Sequence, residues 1–233
     1  MSLSEEYVLI TGGTLGIGKA TAKLLVGQGA KVAITGRDSA RLERAAAATG
    51  AFPILNDVSK PSEVEGCFES FFEQFPRLTT LINNAGIGRS KALLDLEPED
   101  MRVVWETNVL GATMMAKHAS RHFVEQNSGT IINIASTAAH RGYARGSAYS
   151  SSKFALRSLS ECWRAELRPH NVRVCTICPS EVPTAFGSAE RVERPEEENK
   201  LRSLEIAHAI QACMEMDPRG FIPELTVFAT NPF

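Results

Sequence analysis

The chain has 233 residues, 43% of them hydrophobic, and its 25 basic and 27 acidic side chains leave a formal net charge of −2. This composition supplies enough apolar residues for a substantial core, and we expect one domain over residues 1–233. A balanced charge gives no basic field for nucleic acid or for an anionic membrane surface. Neither partner is therefore expected.

The N-terminal segment carries acidic residues before a short apolar run and has no basic stretch, so it does not resemble a signal peptide. No apolar run approaches the about 18 residues that a membrane span requires. The five cysteines are scattered and odd in number, which is typical of reduced thiols. These features predict a cytoplasmic protein.

Short apolar segments alternate with helical patterns along the whole chain, and this alternation predicts a parallel sheet. The fold class is therefore α/β, a doubly wound Rossmann fold of about seven strands with helices on both faces. The predicted strands are 7–11, 31–35, 52–55, 79–83, 130–135, 172–178 and 224–229. The predicted helices begin at the glycines near residue 16 and continue with 39–48, 61–75, 99–126, 148–168 and 203–215.

A glycine-rich turn, Thr11 to Gly18, joins the first strand to the first helix. Glycines at positions 12, 16 and 18 permit a tight turn and let the backbone approach a phosphate at the helix N-terminus. The spacing is T-G-x3-G-x-G rather than G-x-G-x-x-G. A strand before the turn and a helix after it favour dinucleotide binding over a plain turn.

The residues after the second and third strands bear on which dinucleotide is bound. The second strand ends in Gly36 and Arg37, where an acidic residue would select NAD. Arginine pairs with the 2′-phosphate of NADP, so NADP is expected and NAD is less favoured. Alternatively, Arg37 is an exposed side chain beside a helix cap at Asp38. Asp57, followed by Val58, is placed either to contact the adenine or to cap a loop.

Tyr149 and Lys153 lie four apart in a predicted helix and so share one face. A neighbouring ammonium favours phenolate, which would lower the tyrosine pKa from about 10. Ser136 ends a buried strand and points into the crevice of an α/β sheet. A hydroxyl donor, a titratable phenol and a tuning charge together suit proton transfer to or from a carbonyl oxygen.

The segment 99–126 has three further features. Asn108 lies inside it, which is unfavourable for a helix and marks either a local kink or a bound water. His118 and His122 are four apart, but no third ligand is apparent, so no metal is predicted and a surface or subunit contact is favoured. Apolar residues on more than one face predict burial in a homodimer or homotetramer.

The polar stretch after the sixth strand, residues 185–200, is predicted to be a substrate lid. The alternative is a solvated loop. Candidate residues for the substrate pocket are mixed in character, so they do not identify a substrate. They are Gly88, Arg89, Ala138, His140, Arg141, Tyr143 and Phe186.

These motifs together resemble the short-chain dehydrogenase/reductase family over almost the whole chain. The resemblance implies that Tyr149 is the general acid or base, that Ser136 holds the substrate oxygen and that Asn108 holds a relay water. Lys153 would lower the Tyr149 pKa and bind the nicotinamide ribose. The implied cofactor contacts are Gly12, Thr14, Leu15, Gly16, Ile17, Gly18, Arg37, Asp57, Val58, Asn84, Ala85, Gly86, Tyr149, Lys153, Pro179, Val182 and Thr184.

One position departs from the family pattern, because Ser180 stands where the family usually has glycine after proline. Serine would be strained there if the backbone needed a positive φ. Within the family, the chain is similar to 3-oxoacyl-carrier-protein reductases and to bacterial sepiapterin-type carbonyl reductases. The expected function is NADP-dependent interconversion of a carbonyl and an alcohol, on a 3-oxoacyl thioester or a small ketone. The alternative is a non-catalytic NADP-sensing or scaffold protein.

Overall fold

The computed structural model describes residues 3–186 and 192–232, and its strands form one parallel sheet. Every predicted strand is present, with ends within two residues of the prediction. The strands are Tyr7–Ile10 (β1), Lys31–Gly36 (β2), Phe52–Leu55 (β3), Thr80–Asn83 (β4), Gly129–Ile134 (β5), Val172–Pro179 (β6) and Glu224–Val227 (β7).

The strand order is β3-β2-β1-β4-β5-β6-β7, and every pairing is parallel. The chain therefore winds outward in both directions from the β1–β4 pair, as a doubly wound sheet does. The connections after β1 and β4 diverge, which leaves a crevice beyond the carboxyl ends of these two strands. The glycine-rich turn follows β1 at this crevice.

Seven α-helices connect the strands within the described residues, and five of the six predicted helical segments each match one of them. The segment 61–75 starts as a 3₁₀ turn, Pro61–Glu63, before the α-helix begins. The helices are Gly16–Gly27 (α1), Ser39–Thr49 (α2), Val64–Gln74 (α3), Pro98–Trp105 (α4), Ala112–Glu125 (α5), Ser147–Leu167 (α6) and Ser203–Glu215 (α7).

The helices cover both faces of the sheet, each over its own core cluster. On one face, Leu25 of α1 and Ile210 of α7 pack in the cluster that contains Ile10. On the other, Phe123 of α5 packs in the cluster that contains Leu9. Neighbouring residues of β1 point to opposite faces because side chains alternate along a strand. Both faces are buried, which explains why the strands read as continuous apolar runs.

The helix predicted over 99–126 is not continuous. It divides into α4 and α5, with a π-helical turn at Glu106–Gly111 between them. Asn108 lies in this turn, and its side chain exchanges two hydrogen bonds of 2.9 Å with the backbone of Ile87. The predicted local irregularity at Asn108 is therefore confirmed, because the asparagine amide bonds a neighbouring loop and the helix widens to allow it.

A buried chain of polar side chains fixes α6 against the sheet. Asn83 Nδ2 donates to Asn133 Oδ1 at 2.9 Å, which joins β4 to β5. Asn133 Nδ2 donates in turn to Ser160 Oγ of α6 at 2.8 Å. Buried amides are stable only when they are hydrogen-bonded, so this chain sets the position of the helix that carries Tyr149 and Lys153.

None of the helices in the described ranges combines the length and the hydropathy needed to cross a bilayer.

Candidate active site

The glycine-rich turn places backbone close to the crevice because two of its positions have no room for a side chain. Gly12 has φ +65°, and a Cβ there would lie 2.9 Å from Ala85 Cα. A Cβ on Gly18 would lie 2.5 Å from Asn84 Nδ2. The turn therefore packs directly on the loop after β4.

The loop after β4 is tied to the turn by reciprocal hydrogen bonds. Asn84 Nδ2 donates to the carbonyl oxygens of Thr11 and Gly12 at 2.9 and 3.0 Å. The Thr11 hydroxyl accepts from the amides of Asn84 and Ala85, both at 3.0 Å. Residues Asn84, Ala85 and Gly86 consequently form the crevice wall opposite the turn.

Two arginines stand at the end of β2. Arg37 is exposed and lines the crevice beside Gly36. Asp38 caps α2 by accepting from the Arg41 amide at 2.8 Å, as predicted. Arg41 also lines the crevice, which the sequence analysis missed. Its position four residues after Arg37, in the first turn of a helix, is the signal that could have found it.

Asp57 and Val58 follow β3 and also line the crevice. The Asp57 carboxylate accepts from the amide and the hydroxyl of Ser59 at 3.1 and 2.8 Å, so it caps a loop. The Asp57 amide donates to Glu63 Oε2 at 2.8 Å. Asp57 therefore caps the loop and also lines the crevice.

Ser136, Tyr149 and Lys153 converge at the carboxyl end of β5. Tyr149 forms a hydrogen bond with the Ser136 hydroxyl. Lys153 Nζ lies 5.7 Å from the centre of the Tyr149 ring and donates to the Ile134 carbonyl at 2.8 Å. The i, i+4 spacing on α6 places the phenol and the ammonium on one face, as predicted.

Burial dominates the electrostatics of this group. It raises the pKa of Tyr149 to about 12, although the hydrogen bond with Ser136 acts in the opposite direction. It lowers the pKa of Lys153 to about 8, because an ammonium loses hydration in the interior. The expected lowering of the Tyr149 pKa by Lys153 is not found, since desolvation of the phenolate is the larger effect.

Asn108 faces Lys153 across Gly86. A Cβ on Gly86 would lie 3.4 Å from Asn108 Oδ1 and 3.6 Å from Lys153 Nζ. Asn108 Nδ2 also donates to Ser152 Oγ of α6 at 3.0 Å. The Asn108 side chain and the Lys153 ammonium therefore both lie next to Gly86, while the Asn108 oxygen accepts from the Ile87 amide.

The segment after β6 forms the remaining wall, with Pro179, Val182 and Thr184 lining the crevice. Ser180 does not have a positive φ, so the strain considered for serine at this position is absent. Its amide donates to the Val227 carbonyl at 2.8 Å, and its hydroxyl accepts from the Ala229 amide at 3.3 Å. Serine is accommodated because it continues the pairing with β7.

The predicted cofactor and catalytic residues lie around one cavity of about 1390 Å³. Gly18 and Asn108 are not part of its lining and stand behind it. Gly88 and Arg89 of the predicted substrate pocket do not line it either. The Phe186 ring packs against Gly88, where a Cβ would lie 2.9 Å from it. The predicted residues that do line its substrate end are Ala138, His140, Arg141, Tyr143 and Phe186.

Aromatic groups surround the substrate end of this cavity. The Phe186 ring lies 5.1 Å from the Tyr149 ring, centre to centre. Tyr143 and Phe228 are 54% and 67% exposed, so both present ring surface at the opening. Arg141 adds a positive charge there. Phe228 was missed by the sequence analysis because β7 is brought to this end only by the sheet.

A cluster of His140, Cys178 and Glu224 lies behind Ser136, with possible metal-ligand atoms within 4.8 Å of one another. Glu224 is already engaged, because Arg157 Nε donates to it at 2.7 Å. Burial raises the pKa of the Cys178 thiol to about 11, so the thiol is protonated. The positive charge on Arg157, which already pairs with Glu224, disfavours a divalent cation here. The cluster is better described as an ion pair supporting the pocket.

His118 and His122 are held by ring contacts rather than by a shared ligand. Both rings stack on Phe68 of α3, with centre-to-centre distances of 5.6 and 6.4 Å. Burial lowers the pKa of His118, which favours its neutral form. The pair therefore packs between α3 and α5 within one chain.

Residues 187–191 of the predicted lid lie outside the described residues. Residues 192–200 carry a set of ion pairs: Arg194 contacts Glu181 and Glu197 at 3.1 and 2.8 Å, and Lys200 contacts Glu181 at 3.2 Å. Arg194 also lines the crevice.

Comparison with known proteins places these features in a family. The family model for short chain dehydrogenase matches residues 6–195. Carbonyl reductase family member 4 of Xenopus tropicalis is 36% identical over 176 residues, which cover 75% of each chain. The human 3-oxoacyl-[acyl-carrier-protein] reductase is 32% identical over 222 residues, which cover 91% of this chain and 92% of the relative.

The fold also matches that of a solved reductase. The crystal structure of 3-ketoacyl-(acyl-carrier-protein) reductase from Brucella melitensis, complexed with NADH, superposes with a TM-score of 0.89 at 28% identity, covering 100% of both chains. The crevice, the glycine-rich turn and the hydroxyl–phenol–ammonium group thus occur on the fold of a known reductase. The chain belongs to the short-chain dehydrogenase family and is an NAD(P)-dependent oxidoreductase.

Proposed function

We propose that this protein uses NADP to interconvert a carbonyl and an alcohol, with Tyr149 as the proton donor or acceptor. The observation that carries the proposal is the convergence of Ser136, Tyr149 and Lys153 on the crevice that the glycine-rich turn also lines. Dinucleotide-binding and proton-transfer groups therefore face one cavity.

The shape and chemistry of the crevice fit a dinucleotide. The α1 amides at the glycine-rich turn would hold the pyrophosphate, because a helix N-terminus attracts anions. Leu15 and Ile17 would flank it. Asp57 and Val58 would bound the adenine, and the wall of Asn84, Ala85 and Gly86 would cover the other side. Pro179, Val182 and Thr184 would hold the nicotinamide end.

When bound, the dinucleotide supplies or accepts the hydride. Ser136 would position the substrate oxygen by a hydrogen bond, and Tyr149 would deliver a proton to that oxygen during reduction. Because burial keeps the phenol protonated, with a pKa of about 12, the acid form is ready for reduction. Lys153 would bind the nicotinamide ribose, and Asn108 would connect Lys153 to a proton relay.

The preference for NADP is supported by the two arginines at the end of β2. Arg37 forms no ion pair among the described residues, and Arg41 lines the same part of the crevice. The nearest carboxylate after Gly36 in sequence, that of Asp38, caps α2 by accepting from the Arg41 amide at 2.8 Å. A guanidinium pair recognises a 2′-phosphate by charge-assisted hydrogen bonds.

The aromatic opening and Arg141 support a carbonyl substrate with an apolar body. A 3-oxoacyl thioester and a small ketone both meet this description. The presence of Ser136 and Tyr149 argues against a non-catalytic NADP sensor, which needs no group for proton transfer.

We further propose that one domain performs binding and catalysis, because both walls of the crevice come from one sheet. The five cysteines are unpaired, four of them buried, which fits a reducing compartment such as the cytoplasm.

A homodimer or homotetramer is supported by exposed apolar side chains on neighbouring elements. Trp105 ends α4, Leu110 lies in the π turn and Phe154 lies on α6; they are 38%, 42% and 43% exposed. The Trp105 indole donates to Ser151 of α6 at 3.2 Å, so these elements pack together. Such a surface is typical of a protein interface.

Replacing the proton donor should abolish turnover without removing the cofactor. For Tyr149→Phe we expect kcat to fall about 10²- to 10⁴-fold, because general acid catalysis contributes that much. NADPH affinity should stay close to wild type. Steady-state kinetics against a panel of ketones, with fluorescence titration of NADPH, measure both. Tyr7→Phe, at the far end of β1, is the control. If Tyr149→Phe keeps most of the wild-type kcat, Tyr149 is not the proton donor.

The arginine at the end of β2 should select the phosphorylated cofactor. We expect Arg37→Ala to weaken NADPH binding about 10- to 150-fold, since a charge-assisted phosphate contact contributes about 1.5–3 kcal/mol. NADH binding should change little. Titration of both cofactors measures the difference, and Arg44→Ala, which removes an exposed arginine of α2 outside the crevice lining, is the control. Equal losses for NADPH and NADH would show that Arg37 does not recognise the phosphate.

The buried lysine should impose a pH limit on reduction. Its pKa of about 8 means that Lys153 is charged below this pH and neutral above it. If the ammonium binds the cofactor, kcat/KM for NADPH should fall as the pH rises through about 8. Lys153→Met should lower kcat/KM and abolish this limb.

The measurement is a pH–rate profile with the ketone saturating and NADPH varied. Lys23→Met, an exposed lysine of α1, should keep the limb. A limb that persists in Lys153→Met would assign it to another group.

The apolar surface on α4, the π turn and α6 should mediate self-association. We expect wild type to be a dimer or tetramer by light scattering at micromolar concentration. Phe154→Glu should shift it towards smaller species, because a charge would be buried in the interface. Leu94→Glu, at a 98% exposed position, is the control. A monomeric wild type would contradict the proposal.

A further inference from the structure

A carboxylate from residues 192–200 occupies the end of the helix that would hold the pyrophosphate. Glu193 Oε1 accepts a hydrogen bond of 2.8 Å from the Gly16 amide, across 177 residues of sequence. Gly16 is the first residue of α1, and its N-cap residue Leu15 supplies no side-chain acceptor. The first turn of α1 also contains no acidic side chain. The anionic cap of this helix therefore comes from outside it.

Exposed ion pairs of the neighbouring residue, Arg194, position the segment that carries Glu193. Its neighbour Arg194 contacts Glu181 and Glu197 at 3.1 and 2.8 Å. Glu181 lies two residues after β6 and lines the crevice, so these contacts connect the segment to the crevice wall. All three side chains are 41–50% exposed, and exposed ion pairs contribute little to stability. The contact is therefore of a kind that a ligand can displace.

A carboxylate and a phosphate can each accept hydrogen bonds from the amides at the start of α1. Both are anionic oxygen acceptors, and both are attracted to the amides at a helix N-terminus. They also repel each other at close range. Among the described residues no ion pair joins the Glu193 carboxylate to a cation, so its charge acts on the turn itself.

We propose that Glu193 is an internal competitor of the cofactor pyrophosphate. Its carboxylate leaves Gly16 when the dinucleotide binds and returns when the dinucleotide leaves. The apparent dissociation constant is then the intrinsic one divided by the fraction of molecules in which Glu193 has left Gly16. This inference rests on the proposed binding of a dinucleotide at the glycine-rich turn.

The test compares Glu193→Gln with wild type in NADPH binding, by calorimetric titration of the full chain. Glutamine keeps the shape of the side chain and removes the charge. We expect NADPH to bind about 2- to 5-fold more tightly, the range that an exposed charge at a helix N-terminus supplies. Thermal melts of each variant confirm that it is folded.

Two controls separate competition at Gly16 from a general charge effect. Adenosine 2′-phosphate has no pyrophosphate, so its affinity should be the same in wild type and Glu193→Gln. Glu196→Gln removes the same charge from an exposed position on the same segment and should leave NADPH affinity unchanged.

Unchanged or weaker NADPH binding in Glu193→Gln would overturn the inference. An equal gain in NADPH affinity in Glu196→Gln would also overturn it, as would an equal gain in the affinity of Glu193→Gln for adenosine 2′-phosphate. If wild type itself binds no dinucleotide, the proposed function fails and this inference fails with it. If wild type binds NADPH and Glu193→Gln binds it with the same affinity, this inference fails and the proposed function is retained.

Discussion

The close packing of the turn after β1 against the loop after β4 is the constraint on which the rest of the site depends. These two connections diverge because the sheet winds in opposite directions from the β1–β4 pair. They still touch at their bases, where Gly12 and Gly18 leave no room for side chains. The α1 amides consequently face an open crevice instead of a packed core. Arg37 and Arg41 then line one end of this cavity, and the Tyr149 phenol lines the other.

Burial gives the proton-transfer group its electrostatic character. A phenol and an ammonium on one helical face suggest a tyrosine with a lowered pKa, but desolvation acts on both groups and favours their neutral forms. Tyr149 therefore remains a phenol, and Lys153 becomes a weaker cation, with pKa values of about 12 and about 8. The site is poised for donating a proton. A bound positive nicotinamide would favour phenolate and so assist the reverse direction.

The polar chain Asn83–Asn133–Ser160 and the Asn108 amide show how buried hydrogen bonds set this geometry. The first holds α6 on the sheet. The second bonds the Ile87 backbone and the Ser152 hydroxyl from within the π turn. Both use asparagine where an apolar residue would pack more simply. Since an unsatisfied buried amide is costly, each of them specifies one arrangement of neighbouring elements.

The sequence by itself determined the order and type of the elements, the glycine-rich turn and the Tyr149–Lys153 pair, because these depend on local periodicity and spacing. It also indicated the irregularity at Asn108. Only the tertiary structure decided which residues meet across the sheet. Phe228 lines the cavity from a distant segment and Glu193 reaches the Gly16 amide across 177 residues, whereas Arg89 does not line the cavity. The direction of the Tyr149 pKa shift was likewise decided there, since desolvation depends on everything packed around a side chain and not on its neighbours in sequence.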